Sequence, residues 1–464
     1  MIMGCTQVVV LACMVLLACG RGPGPVKEPA RKNVVLVTLD TLRADRLGCY
    51  GYGPARTPIL DDFASGAVVF THATTVSNNT LPAHAAILCG RYPRRLGVPR
   101  NGFEVPPAQR SLAVLLAERG YRTAAFVSSS VLDATCGLRK GFGVYDDEFD
   151  IEEVDQAQRR APETVRRALR WLEGADREPY FLWIHLFDPH YPYTPPPPYD
   201  RYFYPEYSGP ADGSIRFIAG IQGRHGFPKV RSGPDDYRRL AALYDGEIAF
   251  LDASLAPLFA YLDRPEVRAC TAVAVVGDHG ESLTEHNYFF DHGLDVYQPS
   301  MHVPLMIRAP AATRGRRSAW AVQNLDLFPT LLRLIGLSVP DATDGRDLGG
   351  LLRGDAKLPA AVAFGEACQP FEVEAPDGRA WRNDGKAQFA LSWPWKLIET
   401  PYLKRSELFR LDNDPAENRD NAASHPRLVA WLSEQLQNWR RGAAIHGERR
   451  NQANLDKIRS LGYL

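Results

Sequence analysis

The stretch from Asn78 to Pro93 puts a hydroxyl where chemistry could be done. Thr80 is read as the cap of a short helix, with Pro82 in its first turn and Gly90 as its stop. A hydroxyl at a helix N-terminus faces orphan N–H groups and the positive end of the helix dipole, a setting that stabilises an oxyanion or a bound sulfate or phosphate. Thr80 is therefore a candidate nucleophile. A lone threonine cap is usually only a cap, so the case rests on what stands elsewhere in the chain. Asp40 follows the apolar run Asn33–Leu39, Asp188-Pro189-His190 follows Tyr180–Phe187, and Asp278-His279-Gly280-Glu281 follows Cys270–Gly277. His279, His286 and His292 fall within fourteen residues of a chain that has 11 histidines, a concentration that surface chance does not explain.

Those polar groups need a scaffold that brings them to one edge. The nearly continuous apolar runs read as strands buried on both faces of a mainly parallel sheet, and in open α/β sheets ligands collect beyond the carboxyl ends of the strands. Between them the spacing predicts helices at Pro58–Ala64, Leu112–Gly120, Ala161–Leu172, Asp235–Leu262 and Asp326–Ile335, with further strands at Val68–Phe70, Thr123–Val127 and Val303–Arg308. The proline-rich 194–199 and the Gly-rich, aromatic 202–234 are read as an irregular rim over the site. After about residue 355 the pattern changes to short strands at Ala361–Phe364, Gln388–Ser392 and Lys396–Ile398, closed by a helix at Pro426–Trp439. The fold class is α/β: a large doubly wound, mainly parallel sheet flanked by helices, with a smaller C-terminal α+β subdomain.

Length and charge bound the function. The chain has 464 residues, enough for a large core, and 54 basic residues balance 54 acidic ones, which argues against nucleic acid as a partner. Residues 7–19 are apolar, too short to span a bilayer comfortably and long enough for a signal-peptide core. Leu16-Leu17-Ala18-Cys19-Gly20 resembles a bacterial lipobox, which makes Cys19 the lipidated first residue of the mature protein, with Cys13 as the alternative. The expected address is the bacterial cell envelope, lipid-anchored and facing the periplasm or exterior. Gly20 to Arg31 reads as a flexible tether. The five later cysteines, Cys49, Cys89, Cys136, Cys270 and Cys368, have neither zinc-site nor disulfide-framework spacing.

Five segments together resemble the sulfatase branch of the alkaline-phosphatase superfamily: Asn33–Tyr52, Asn79–Pro93, His185–Tyr193, Gly277–Gly293 and Glu407–Asn421. With the lipoprotein signal peptide read at 1–19 and the tether at 20–32, the resemblance implies a sulfatase-like catalytic domain at 33–355 and a C-terminal subdomain at 356–464. It also implies metal-assisted displacement at a sulfate or phosphate ester. Residue by residue, Asp40 resembles the first metal-binding aspartate, and Asp278 and His279 the later pair. Thr80 stands where sulfatases keep the cysteine or serine oxidised to formylglycine. His190 resembles the histidine beside the leaving group, and His292 falls near a substrate-contacting lysine. There are departures. Formylglycine is not made from threonine, His84 replaces the arginine of the motif, Thr41 replaces a second aspartate, and Ser128-Ser129-Ser130 stand where a lysine and a histidine often line the sulfate pocket.

Two carboxylates, a neutral imidazole and a hydroxyl can hold one divalent cation, here Asp40, Asp278, His279 and Thr80, with Zn, Mn, Ca or Mg as the ion. Asp188 and His292 are an alternative pair for a second ion. Thr80 would attack phosphorus or sulfur, and His190 or His292 would protonate the departing oxygen. A threonine sulfate lacks the geminal hydroxyl by which formylglycine expels sulfate, so the chemistry favours phosphate mono- or diesters and phosphonates, while the resemblance favours sulfate esters of glycans or lipids. His84, His286 and Glu281 are read as support for this set as readily as participants, with His84 kept among the candidate catalytic residues. An envelope phosphotransferase, or a non-catalytic binder of sulfated or phosphorylated glycans, are the competing functions.

Overall fold

Strand β1, Asn33–Leu39, feeds two cores at once. Val35, Val37 and Leu39 enter one and Val34 and Leu36 the other, because successive side chains leave a strand on opposite faces. The computed structural model describes residues 32–149, 158–174, 178–310, 315–354, 358–359, 361–377, 380–442 and 448–449. The signal-peptide and lipobox segment and the tether through Arg31 lie outside the described residues. No helix among those described is long and apolar enough to cross a membrane.

The main sheet adds β2 (Val68–Thr74), β3 (Arg122–Phe126), β4 (Val144–Asp146), β5 (Tyr180–Leu186), β6 (Thr271–Gly277), β7 (Leu305–Arg308) and β8 (Arg316–Gln323). Their order is β4-β3-β5-β1-β6-β7-β2-β8. Only β7 runs antiparallel to its neighbours, so the sheet is mainly parallel, as the buried runs imply. The edge strand β8 is half exposed and has no buried apolar run, so hydrophobic patterning passes over it.

Helices cover both faces. On one lie α1 (Pro58–Ser65), α4 (Ala161–Glu173), α5 (Ile215–Gln222) and α6 (Pro234–Leu262), and on the other α2 (Thr80–Cys89), α3 (Leu112–Ala117) and α7 (Leu327–Leu334). α5 corrects the reading of 202–234 as irregular throughout. Ser214 caps it through the Phe217 N–H and Gly223 closes it at φ +67°. Phe217 and Ile218 are buried in the main core, a pull that the glycines and prolines around them mask in the sequence.

A second, antiparallel sheet holds β9 (Ala363–Glu366), β10 (Gln388–Ser392), β11 (Trp395–Thr400) and β12 (Arg405–Arg410), in that order. One face takes Leu432, Leu436 and Trp439 of α8 (Pro426–Arg440), together with Val76, Ala86 and Tyr92 from around α2. The other packs on Val296, Tyr297 and Met301, just after His292. The small sheet thus braces two segments that carry candidate site residues.

Candidate active site

The parallel register brings the acids together. Leu39 of β1 is level with Leu186 of β5 on one side and with Gly277 of β6 on the other, so Asp40 and Asp278 leave neighbouring strands side by side. Thr41, between them in space, adopts φ +50°, a left-handed conformation that costs a β-branched residue of order 1–3 kcal/mol. Its N–H is given to Asp278 Oδ1 at 3.1 Å, and its carbonyl accepts from Tyr244 at 2.7 Å, which holds the strained turn.

Asp40, Asp278 and His279 are fully buried, and one donor atom from each lies within 4.8 Å of the others. His279 Nδ1–H donates to Gly280 O at 2.9 Å, which turns the Nε2 lone pair toward Asp40 Oδ1 (3.8 Å), Asp278 Oδ2 (3.6 Å) and Thr80 Oγ1 (3.5 Å). Those separations match donors sharing one ion at about 2.1 Å each. Asp40 Oδ1 and Asp278 Oδ2 are buried with no hydrogen-bond partner, as vacant ligand atoms would be. Burial pushes both carboxyl groups well up, and Asp40 pushes Asp278 further, an arrangement of two close acids that a divalent cation would relieve. Burial holds His279 far below the ordinary imidazole value, hence neutral and able to ligate. The donor set fits a divalent cation.

Thr80 is not the cap. Asn79 takes that position with extended backbone, and Thr80 is the first helical residue. The Leu81 N–H is committed to Asn101 Oδ1 at 2.9 Å, Pro82 has none, and the Ala83 N–H closes onto Asn79 O at 3.1 Å. Little of the first turn is left to hold an anion, so the expected oxyanion role of the helix start gives way to the charged groups around it.

Behind the cluster lies a relay the sequence reading missed. Trp183 Nε1–H donates to Thr38 Oγ1 (3.0 Å), so the single Thr38 hydroxyl proton goes to His84 Nε2 (2.9 Å), and His84 Nδ1–H goes to Thr80 O (2.7 Å). Both His84 nitrogens are thereby bonded to protein atoms, and burial keeps the ring neutral. It braces Thr80 from behind. His185, also missed, donates from Nε2 to Asp40 Oδ2 at 3.1 Å while its Nδ1 accepts from Ser128 N at 3.4 Å, and burial takes it down to about 3. Its signal was a histidine inside a buried strand, level with Thr38 of β1.

On the far side, His190 and His292 face each other with ring centroids 5.2 Å apart, and His292 is 4.4 Å from His279. His190 Nδ1–H donates to Tyr191 O at 2.6 Å and the ring stacks on Phe187. His292 Nδ1–H meets Glu281 Oε1 at 3.0 Å. Burial opposes charge on His292, yet Glu281, Asp291 and Asp40 together hold it up to about 9, an imidazolium at neutral pH. Two expected neighbours are elsewhere. Asp188 is bound to Ala161 N–H (2.8 Å) and Arg160 (3.2 Å) at the start of α4, which removes it from a second-ion pair with His292. His286 stacks on Tyr297 at 3.6 Å and bonds Ala416 O, toward the small sheet.

The Sulfatase family profile matches residues 32–337. The chain belongs to the sulfatase family, ester hydrolases of the alkaline-phosphatase superfamily. It is 24% identical to an ulvan-active sulfatase of Formosa agariphila over 70% of this chain and 66% of that protein, just under two thirds of its length. It is 23% identical to a Δ4,5-hexuronate-2-O-sulfatase of Bacteroides thetaiotaomicron over 91% of this chain and 90% of that one. The fold superposes on a phosphonate monoester hydrolase of Agrobacterium radiobacter with a TM-score of 0.72 and 23% identity, covering 88% and 95% of the two chains.

Proposed function

We propose that the protein is a metal-dependent hydrolase of sulfuric or phosphoric esters that works through Thr80 as nucleophile, with Asp40, Asp278, His279 and Thr80 Oγ1 as ligands of one cation. The single observation that carries this is the position of the Thr80 hydroxyl, 3.5 Å from the His279 nitrogen that also faces the unpartnered oxygens of Asp40 and Asp278. When bound, a divalent cation would lower the hydroxyl's pKa and neutralise charge on the group being transferred. The imidazole in the set favours Zn or Mn over an oxygen-only Ca or Mg site. Thr80 Oγ1 releases its proton to solvent water, attacks in line and forms a Thr80 ester as the bond to the leaving oxygen breaks. His292, charged beside Glu281, or His190 facing it, protonates that oxygen. Water then cleaves the ester at phosphorus or sulfur, gives up a proton to the histidine that had lost one, and the released Thr80 oxygen takes up a proton to regenerate the hydroxyl. His84 and His185 hold Thr80 and Asp40 in place through this cycle.

The threonine selects among substrates. A phosphothreonine ester can be attacked by water directly, whereas a threonine sulfate has no geminal hydroxyl through which to eliminate sulfate. Phosphate esters and phosphonates are therefore the preferred substrates, and the phosphonate monoester hydrolase with the same fold is in keeping with that choice. The sulfatase relatives keep sulfated glycans in view. The lipobox at Cys19 supports action at the cell envelope. The test is a metal-supplemented assay of aryl sulfate, phosphate monoester, phosphodiester and phosphonate hydrolysis, with Thr80→Ala alongside. Hydrolysis that survives Thr80→Ala removes Thr80 as nucleophile.

A further inference from the structure

The two histidines opposite the cation site sit on separate loops, one after β5 and one after β6, and a third segment ties those loops together. Gly223 ends α5 in a left-handed turn and delivers Arg224 between them. Arg224 Nη1–H donates to the Tyr191 hydroxyl at 2.8 Å, and Nη2–H to Asp291 Oδ2 at 2.9 Å. The guanidinium also lies 5.1 Å over the Tyr191 ring. Two residues earlier, Gln222 Nε2–H reaches the carbonyls of Phe289 (3.1 Å) and Phe290 (2.7 Å). Tyr191 and Asp291 are the neighbours of the two histidines in sequence and bond to them. Tyr191 O accepts the His190 Nδ1–H, and Asp291 Oδ1 accepts the His292 backbone N–H at 2.8 Å.

We propose, building on the hydrolase reading above, that Arg224 is a positioning residue for proton delivery to the leaving group, a fork whose two tines set the distance between His190 and His292. The planar guanidinium reaches two acceptors with two different nitrogens, which a lysine ammonium cannot do in the same geometry. The side chain keeps 27% exposure and bonds to none of the cation-site residues, so removing it leaves the core intact. A displacement of either ring by about 1 Å is enough to cost up to about 10²-fold in rate.

The experiment uses the full chain supplemented with Mn²⁺ and a phosphate or phosphonate ester that the wild type turns over. Arg224→Ala should lower kcat by about 10- to 100-fold with KM within about twofold, and Arg224→Lys should not restore it. Tyr191→Phe, which removes one acceptor of the fork and leaves the His190 Nδ1–H bond to the Tyr191 carbonyl, should lower kcat in the wild-type background and have no further effect on Arg224→Ala. Amide hydrogen exchange on the metal-free protein gives a readout apart from activity, with 188–193 and 286–292 exchanging faster in Arg224→Ala and the sheet unchanged. A raised KM with kcat preserved would mean that Arg224 contacts substrate, and the fork would be wrong. Full rescue by Arg224→Lys, unchanged exchange in the two loops, or faster exchange across the whole sheet would each overturn it as well. A wild type that hydrolyses none of the esters refutes the hydrolase reading, and the exchange result then judges the fork by itself.

Discussion

The two halves of the site are built by different means. Asp40, Asp278, His279 and Thr80 come from two neighbouring strand ends and a helix start, so their placement follows from sheet register and backbone geometry. His190 and His292 lie on loops, and side-chain bonds place them: Glu281 under His292, Phe187 against His190, Arg224 across both. The first half sets two buried carboxyl groups side by side, and burial and their mutual repulsion raise the pKa of Asp278. The second has its charge balanced by protein alone. On the proposed reading, the groups that would hold a cation stand on the scaffold, and the groups that would move a proton stand on parts that side-chain bonds can tune.

Substitutions can break or sharpen that contrast. The largest effect belongs to Thr80→Ala, which should cost at least about 10³-fold in kcat while circular dichroism and melting temperature stay near wild type. Thr80→Ser should retain turnover, because it keeps the hydroxyl.

Asp278→Asn comes next and separates the halves by a stability measurement. Both buried acids have their pKa raised in the folded state, so between the unfolded and folded values the native protein binds more protons. The metal-free protein should therefore gain stability as pH falls through that window and lose it as pH rises. Asp278→Asn should raise the metal-free melting temperature at neutral pH. It should also remove the stabilisation that a cation at a hundredfold its Kd gives the wild type, about 2.7 kcal/mol by mass action. Differential scanning fluorimetry with and without Mn²⁺ or Zn²⁺ reads both.

His84→Ala should cost about 10- to 100-fold in kcat through a displaced Thr80, with Thr38→Val adding little on top because the two share one relay. The mildest change is expected in the proton-transfer half. Activity that needs protonated His292 should fall as pH rises through about 9. Glu281→Gln removes the charge that holds His292 up, so the alkaline limb of the kcat/KM profile should move to lower pH with the maximum only modestly reduced. A limb that stays in place would assign the proton to another group, with His190 the first to test.

The same contrast explains what could be read in the chain. Buried runs ending in acids at Asp40 and Asp278 declare both a parallel sheet and its carboxyl edge, because strand burial and strand termination are local. The Thr80 helix and its Gly90 stop are local too, although the cap lies one residue earlier because Asn79 is held by the Asn101 N–H, twenty-two residues away. His84 shows the limit in sharper form. Its tautomer and its role depend on Thr38 and Trp183, which reach it only after β1, β5 and α2 have packed. Asp188 ends a strand as Asp40 does, yet it serves the start of α4, and nothing within a few residues tells the two apart. Arg224, in a stretch that reads as irregular, owes its place to the burial of Phe217 and Ile218.

The central claim is that the Thr80 oxygen forms the covalent ester. Rapid chemical quench of the metal-loaded enzyme with a phosphate or phosphonate ester, followed by mass spectrometry of the peptide spanning 79–91, tests it most directly. The expected result is a phosphoryl or phosphonyl group on Thr80 that forms and decays at rates consistent with turnover and is absent from Thr80→Ala. Turnover at the wild-type rate with no adduct on Thr80, or with the adduct on another side chain, would contradict it.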